Sequence, residues 1–205
     1  SGAEMEIVAP WSAPAPAAVF TRDPATWIVF AATAEIGIDP DAIPAGYKIE
    51  RIADEQAVIL RVEAPEGIIV SAHSEGPKWR IAFGPAGAQP ERFLNPVREV
   101  SETGRQRIET PMVGAAGIVW FTDPMIGDEI AAAVSFGPTA ASTTARNFIE
   151  ADIPATAHGL AVIPHADDIF VALQEERVVV SSAKGGMAVS SNSAGITANY
   201  TAMTM

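Results

Sequence analysis

The side chains that could do chemistry in this sequence fall into a few small groups. His158 and His165 bracket the strand-like run Gly159-Leu160-Ala161-Val162-Ile163-Pro164, and Asp167 and Asp168 follow the second imidazole. Two imidazoles with carboxylates can hold zinc or iron. An intervening strand would hold the rings roughly 20 Å apart, at about 3.3 Å per residue. One ion therefore cannot use both unless the chain folds back. A turn histidine beside solvated aspartates is the preferred reading. His73 sits near the end of another strand-like run and reads as a surface or interface residue.

Asp123, Asp128 and Glu129 crowd a glycine turn, and Asp39 and Asp41 crowd another. Calcium takes several oxygens at short spacing, which makes Asp123, Asp128 and Glu129 the candidate metal ligands. Neither cluster matches an EF-hand or a nonapeptide calcium repeat, so turn chemistry is preferred. Arg92, Arg98, Arg105 and Arg107 form a local basic concentration in an acidic chain and are the candidate partner-binding residues. Paired carboxylates about 5–10 Å apart across a cleft would serve glycoside hydrolysis. Trp27, Trp79, Trp120, Phe30, Phe83 and Phe121 all lie in strand-like segments and read as core rather than as a sugar-stacking platform. The chain has no G-x-S-x-G, no Walker A loop, no G-x-G-x-x-G after a strand and no H-E-x-x-H. Gly185-Gly186 reads as a hairpin turn. No catalytic residue is nominated and no cofactor is expected.

Composition narrows the partners. The chain has 205 residues, 48% hydrophobic and 19% charged, enough apolar material for a core. Its 25 acidic residues outweigh 13 basic ones, for a net charge of −12. Nucleic acid and anionic membrane surfaces are poor partners for such a chain. The acidity reads first as solubility, and more sharply as a calcium site or a cationic partner. With no cysteine, disulfides, thiolate nucleophiles and thiolate metal sites are excluded. That leaves the compartment open, since such chains suit the cytosol and an oxidising periplasm alike. No apolar run approaches the roughly 20 residues of a membrane helix, so no membrane insertion is expected. Ser1-Gly2-Ala3-Glu4 could follow a cleavage site, and the natural protein is expected to extend beyond one or both ends.

These groups must be positioned by short strands. Residues 1–17, with Pro10, Pro14 and Pro16, read as an extended arm anchored through Trp11. Val19-Phe20-Thr21 and Thr26-Trp27-Ile28-Val29-Phe30 flank Arg22-Asp23-Pro24, where proline and an Asx side chain favour a hairpin turn. One short helical turn is expected within 37–46. Strands follow at 48–52, 57–62, 67–73 and 78–83. In the last, Trp79, Ile81 and Phe83 share a face. Residues 84–114 are broken by four prolines' worth of punctuation, at Pro85, Pro90, Pro96 and Pro111, and mark a boundary between halves. Trp120-Phe121-Thr122-Asp123-Pro124 then echoes Phe20-Thr21-Arg22-Asp23-Pro24, a possible internal repeat. Residues 126–134 read as strand. Runs at 159–164, 169–173, 177–181 and 187–190 read as a meander of three hairpin steps.

The expectation is an all-β fold of antiparallel hairpins and meanders, as a β-sandwich or a small propeller-like array. A first β unit is expected over 18–100 and a second over 101–205, with packing as one domain left open. The segments around Phe20–Phe30, Trp120–Asp128 and Gly159–Val180 resemble a group of uncharacterised proteobacterial proteins. In these a β-rich, exported N-terminal region precedes tetratricopeptide-type repeats. The resemblance implies a periplasmic or envelope location and a scaffold role, and supplies no catalytic residues. The expected function is a non-enzymatic binding or scaffold module of the bacterial envelope with a protein partner. Two alternatives stand beside it: a polysaccharide hydrolase or lyase using acidic residues, and a calcium-stabilised adhesive or surface-layer module.

Overall fold

The computed structural model describes residues 4–100, 105–149 and 151–183. About 56% is strand, arranged in predominantly antiparallel sheets with no α-helix and no closed barrel among the described residues, so the all-β expectation holds. The first strands are β1 (Met5–Pro10), β2 (Ala17–Arg22), β3 (Ala25–Phe30), β4 (Lys48–Ile52), β5 (Val58–Glu63), β6 (Ile69–Glu75) and β7 (Lys78–Gly84). Then come β8 (Arg92–Phe93), β9 (Val97–Val100), β10 (Gln106–Pro111), β11 (Ala115–Thr122) and β12 (Glu129–Ser135). The last are β13 (Ala140–Ala141), β14 (Arg146–Asn147), β15 (Ala151–Ile153), β16 (Thr156–His158), β17 (Leu160–Pro164), β18 (Ile169–Gln174) and β19 (Arg177–Ser182). The helical turn expected within 37–46 is a 3₁₀ turn, Pro40–Ala42, capped by the Asp39 carboxylate, which accepts the Asp41 N–H.

Asp23-Pro24 makes the expected tight turn. β2 and β3 pair in register from Ala17↔Phe30 to Arg22↔Ala25. The largest sheet runs β14-β15-β17-β12-β2-β3-β5-β4, with β11 added on β12 and β16 on β2. It crosses the boundary expected at 84–114, because Ser135 of β12 pairs with Ala17 of β2. The smaller sheets are β1-β7-β6, β18-β19-β10-β9 and the two-residue pair β13-β8.

Two local expectations need correction. The N-terminal arm contains a strand: β1 pairs along β7 from Met5↔Phe83 to Pro10↔Lys78. Its side chains alternate half-buried and exposed, which is the period-two pattern of an edge strand with one face on a core. Pro10 sits at the strand's end, where a missing N–H costs least. The meander also fails at its first step. β17 pairs with β12 and β15, and β18 pairs with β19 in another sheet, so residues 165–168 carry the chain between sheets. The expected step at 187–190 lies outside the described residues.

Side-chain alternation sorts the core. Val19, Ile28, Phe30, Val58, Leu60 and Val62 project from one face of the large sheet onto Trp79, Ile81 and Phe83 of β7. The Ser135–Ala17 pairing puts the odd-numbered positions of β12 on that same face. There Ala131, Ala133, Leu160 and Val162 meet Ile108, Ile169, Val171, Val178 and Val180 of the four-stranded sheet. Two small sheets thus cover one face in sandwich fashion. On the opposite face Phe20, Trp27, Val29, Ile59, Phe121 and Ile130 form a third core. It arises because the large sheet coils. Trp27 and Phe121 have ring centroids 5.1 Å apart. β3 and β11 stand three strand positions apart, which would separate them by about 14 Å in a flat sheet.

Candidate functional site

The coiled core ends in a cluster of charge. Arg22 closes β2 on the same face as Phe20, and Arg61 of β5 shares the face of Ile59. A charged residue inside an otherwise apolar strand must find a partner when it is buried. Arg22 finds two. Its Nη1 donates to Asp123 Oδ2 at 3.0 Å and to Asp128 Oδ1 at 2.8 Å, and its Nη2 donates to Asp128 Oδ2. The Asp128 contact is a two-pronged guanidinium–carboxylate pair, the geometry that suits arginine.

The loop between β11 and β12 presents both carboxylates. The Asp123 N–H donates to the Asp128 carbonyl at 2.9 Å, and the Gly127 N–H donates to the Asp123 carbonyl at 2.7 Å. The Met125 N–H donates to Asp123 Oδ1 at 2.9 Å. Gly127 takes φ +91°, a backbone region that favours glycine. Asp123 therefore builds the turn with one oxygen and holds Arg22 with the other. Its side chain is only 5% exposed. The hydrogen bonds and positive charge of Arg22 hold the Asp128 carboxyl below the ordinary carboxylate range, against the opposing effect of burial.

Beside this pair, Arg61 donates to Glu50 at 3.3 Å and to Glu63. Lys48 approaches Glu50 at 2.8 Å, and that hydrogen bond leads the causes holding the Glu50 carboxyl low. Arg61 Nε is buried without a hydrogen-bond partner among the described residues. The electrostatic reach of Arg61 extends to Asp123, which joins the two arginines into one cap.

The candidate metal ligands are thus only partly assembled. Asp123 and Asp128 do meet, on a guanidinium. Glu129 begins β12 opposite Thr122 and is exposed. Among the described residues no group of three or more His, Asp or Glu side chains is placed to hold a metal ion.

The two histidines go to unrelated places. His165 is exposed, with Nε2 3.0 Å from Asp152 Oδ2 and Nδ1 3.2 Å from the Ile149 carbonyl oxygen. His158 is fully buried between cores, its ring 4.6 Å from that of Trp79. The Ala140 N–H donates to His158 Nδ1 at 3.2 Å, so the neutral ring carries its proton on Nε2. Nε2 lies 3.0 Å from both Ser135 Oγ and the Ser135 carbonyl oxygen. This looks like a serine–histidine dyad, but the nitrogen facing the hydroxyl is the protonated one and cannot act as a base. Ser135 is also fully buried. Burial pushes the His158 pKa down to about 4.

Three of the four candidate arginines lie on or beside the paired strands β9 and β10, and Arg92 lies apart on β8. Arg92 is exposed on β8, its backbone N–H donating to the Thr139 carbonyl. Arg98 is exposed on β9, opposite Ile108. Arg105 precedes β10 and is exposed. Arg107 on β10 is neutralised by buried Glu109 at 2.5 Å, which Arg177 approaches from the other oxygen at 3.2 Å.

Sequence reasoning passed over Arg22, Arg61 and Ser135. A signal was present for Arg61, which interrupts the apolar run of β5, whereas Arg22 ends its strand at the Asp23-Pro24 turn. It also passed over a cleft of about 560 Å³ between Gly117–Trp120 of β11 and the β4–β5 turn at Asp54–Ala57. The Asp54 carboxylate shapes that turn by accepting the Gln56 and Ala57 N–H groups, each at 2.8 Å. Compared with known proteins, the chain matches no family model, no curated protein and no solved structure.

Proposed function

We propose that this chain is a non-enzymatic binding or scaffold module of the bacterial envelope. The observation that carries the reading is the free side of β11, an uncharged strand of eight residues that pairs, among the described residues, with β12 alone. An unpaired strand edge is a template for another chain. The envelope location rests on the resemblance drawn from the sequence.

The charge chemistry supports binding over hydrolysis. A glycosidase needs one carboxylic acid that keeps its proton near neutral pH. Asp128 and Glu50 are both held in the ionised form by cations. Asp123 and Glu63 are in ion pairs with Arg22 and Arg61. The buried Ser135–His158 pair has neither access nor the right tautomer.

The test is cross-linking of the full-length protein in its host envelope, followed by purification and a parallel assay for new reducing ends from envelope polysaccharides. A stoichiometric protein partner with no polysaccharide turnover is expected. Turnover abolished by Asp128→Asn or Glu50→Gln would replace this reading with the hydrolase one. Failure to recover any stable partner would sink it.

A further inference from the structure

We infer that the free edge of β11 takes up an extended segment of a partner protein as an added strand, apolar at alternate positions and carrying lysine or arginine. The inference rests on the binding reading above and names its partner by chemistry.

β11 differs from the other edges among the described residues, of which β6 carries Glu75 and β14 carries Arg146. Exposed edges are ordinarily blunted by charge, proline or short length. Here β4 carries Lys48, Glu50 and Arg51, and β9 carries Arg98 and Glu99. β1 ends on Pro10. β18 is uncharged, yet Asp167-Asp168 and Glu175-Glu176 bracket it closely, as gatekeepers do. β11 reads Ala-Ala-Gly-Ile-Val-Trp-Phe-Thr, without a charge or a proline. A register shift between Ala115 and Gly117 leaves Gly117–Thr122 as a regular ladder.

Gly117–Trp120 of that ladder line the cleft of about 560 Å³ that faces Asp54–Ala57. Trp120, 39% exposed, stands at its wall as an aromatic anchor. Main-chain bonds would supply affinity and alternate side chains specificity, as in other strand additions.

Charge selects the occupant. The far wall carries Asp54 and Glu55. Arg51, near the same turn, is turned onto the Ala34 carbonyl, to which it donates at 3.1 Å. A second copy would bring another net −12 and another Asp54-Glu55 turn to the same interface, which like-charge repulsion opposes. A cationic partner segment meets no such penalty.

The experiment uses the full chain and four synthetic heptapeptides: Lys-Val-Thr-Val-Thr-Val-Lys, the same peptide with Glu for Lys, and the Lys peptide N-methylated on alternate residues in each of the two registers. Amide hydrogen exchange and fluorescence anisotropy are measured together. The Lys peptide should slow exchange by about tenfold or more at those amides of Gly117–Thr122 that point away from β12. The Glu peptide and at least one N-methyl register should not, because one lacks the charge and the other the ladder donors. Glu55→Lys, on an exposed turn, should weaken the Lys peptide by about fivefold or more. Equal binding of all four peptides overturns the inference. So does slow exchange, in the free monomeric chain, of the β11 amides that point away from β12, which would mean that the chain's own residues hold the edge. A concentration-dependent dimer protected at β11 would make a second copy the occupant and overturn it too. If a host partner cross-links equally to wild type and Glu55→Lys with no protection of β11, the edge assignment falls while the binding reading stands. Absence of any host partner fells the reading itself.

Discussion

Arg22 and Asp123, 101 residues apart, donate and accept a hydrogen bond of 3.0 Å at the end of the coiled core. Each belongs to one of the two aromatic-Thr-(Arg)-Asp-Pro phrases that the sequence singles out. The phrases meet rather than stand apart: the first contributes the guanidinium, the second the Asp123 carboxylate, and Asp128 joins them from the loop that follows. Trp27 against Phe121 repeats the meeting one layer deeper.

Removing Arg22 should therefore cost more than removing an exposed arginine. Arg22→Met leaves Asp123 buried without its cation, and breaking such a pair from one side costs about 3–5 kcal/mol when fully buried. Arg22 is partly exposed, so about 2–3 kcal/mol is expected, read as a shift in the urea midpoint. The double variant Arg22→Met with Asp123→Asn should be more stable than Arg22→Met alone. A single variant indistinguishable from wild type would show the pair to be idle.

Acid should loosen the fold before ordinary carboxylates titrate. His158 is neutral in the folded state, with its pKa at about 4, against an ordinary value of 6.5. Between those pH values the unfolded chain binds a proton that the folded chain does not. Stability present above pH 6.5 is thus lost as pH falls towards 4, by up to about 3 kcal/mol. Asp128 acts in a lower window, below its ordinary 3.8, for the same sign reason. Denaturant midpoints at pH 7.5, 5.5 and 4 should trace the His158 loss, and His158→Gln should flatten it. An unchanged slope in that variant would assign the acid sensitivity elsewhere.

Gly159 is required where β16 turns into β17. Its φ is +72°, and a Cβ there would meet the Ala133 carbonyl oxygen at 2.7 Å and the Ala18 Cβ at 2.9 Å. Gly159→Ala should cost about 2–4 kcal/mol, adding overpacking to backbone strain. Gly67→Ala, at φ +78° with nothing within 4 Å, should cost only about 1 kcal/mol. Similar melting temperatures for the two variants would mean that the strands at Gly159 move apart cheaply.

Calcium should leave thermal stability unchanged. Arg22 occupies the oxygens that Asp123 and Asp128 would offer a cation. Any ion that binds only the folded state must raise its melting temperature. Calorimetry with millimolar calcium and with chelator should give superimposable transitions. A calcium-dependent rise would revive the calcium-stabilised alternative.

Much of the local structure is legible in the residue order. The Asp23-Pro24 turn, the strand at 129–135, the shared face of Trp79, Ile81 and Phe83 and the all-β class follow from short-range rules. Turn chemistry acts over about four residues and strand alternation over two. Strand neighbours are a different matter, because pairing is non-local and both edges of a strand read alike in sequence. Nothing in 159–173 says that β17 leaves β18 for β12, or that Met5–Pro10 finds β7. The same holds for chemistry. That Asp123 and Asp128 are carboxylates on one turn is plain from the sequence. That they meet Arg22, that His158 is sealed against Ser135, and that β11 pairs among the described residues with β12 alone are decided by tertiary packing, which sets the distance and dielectric around each group.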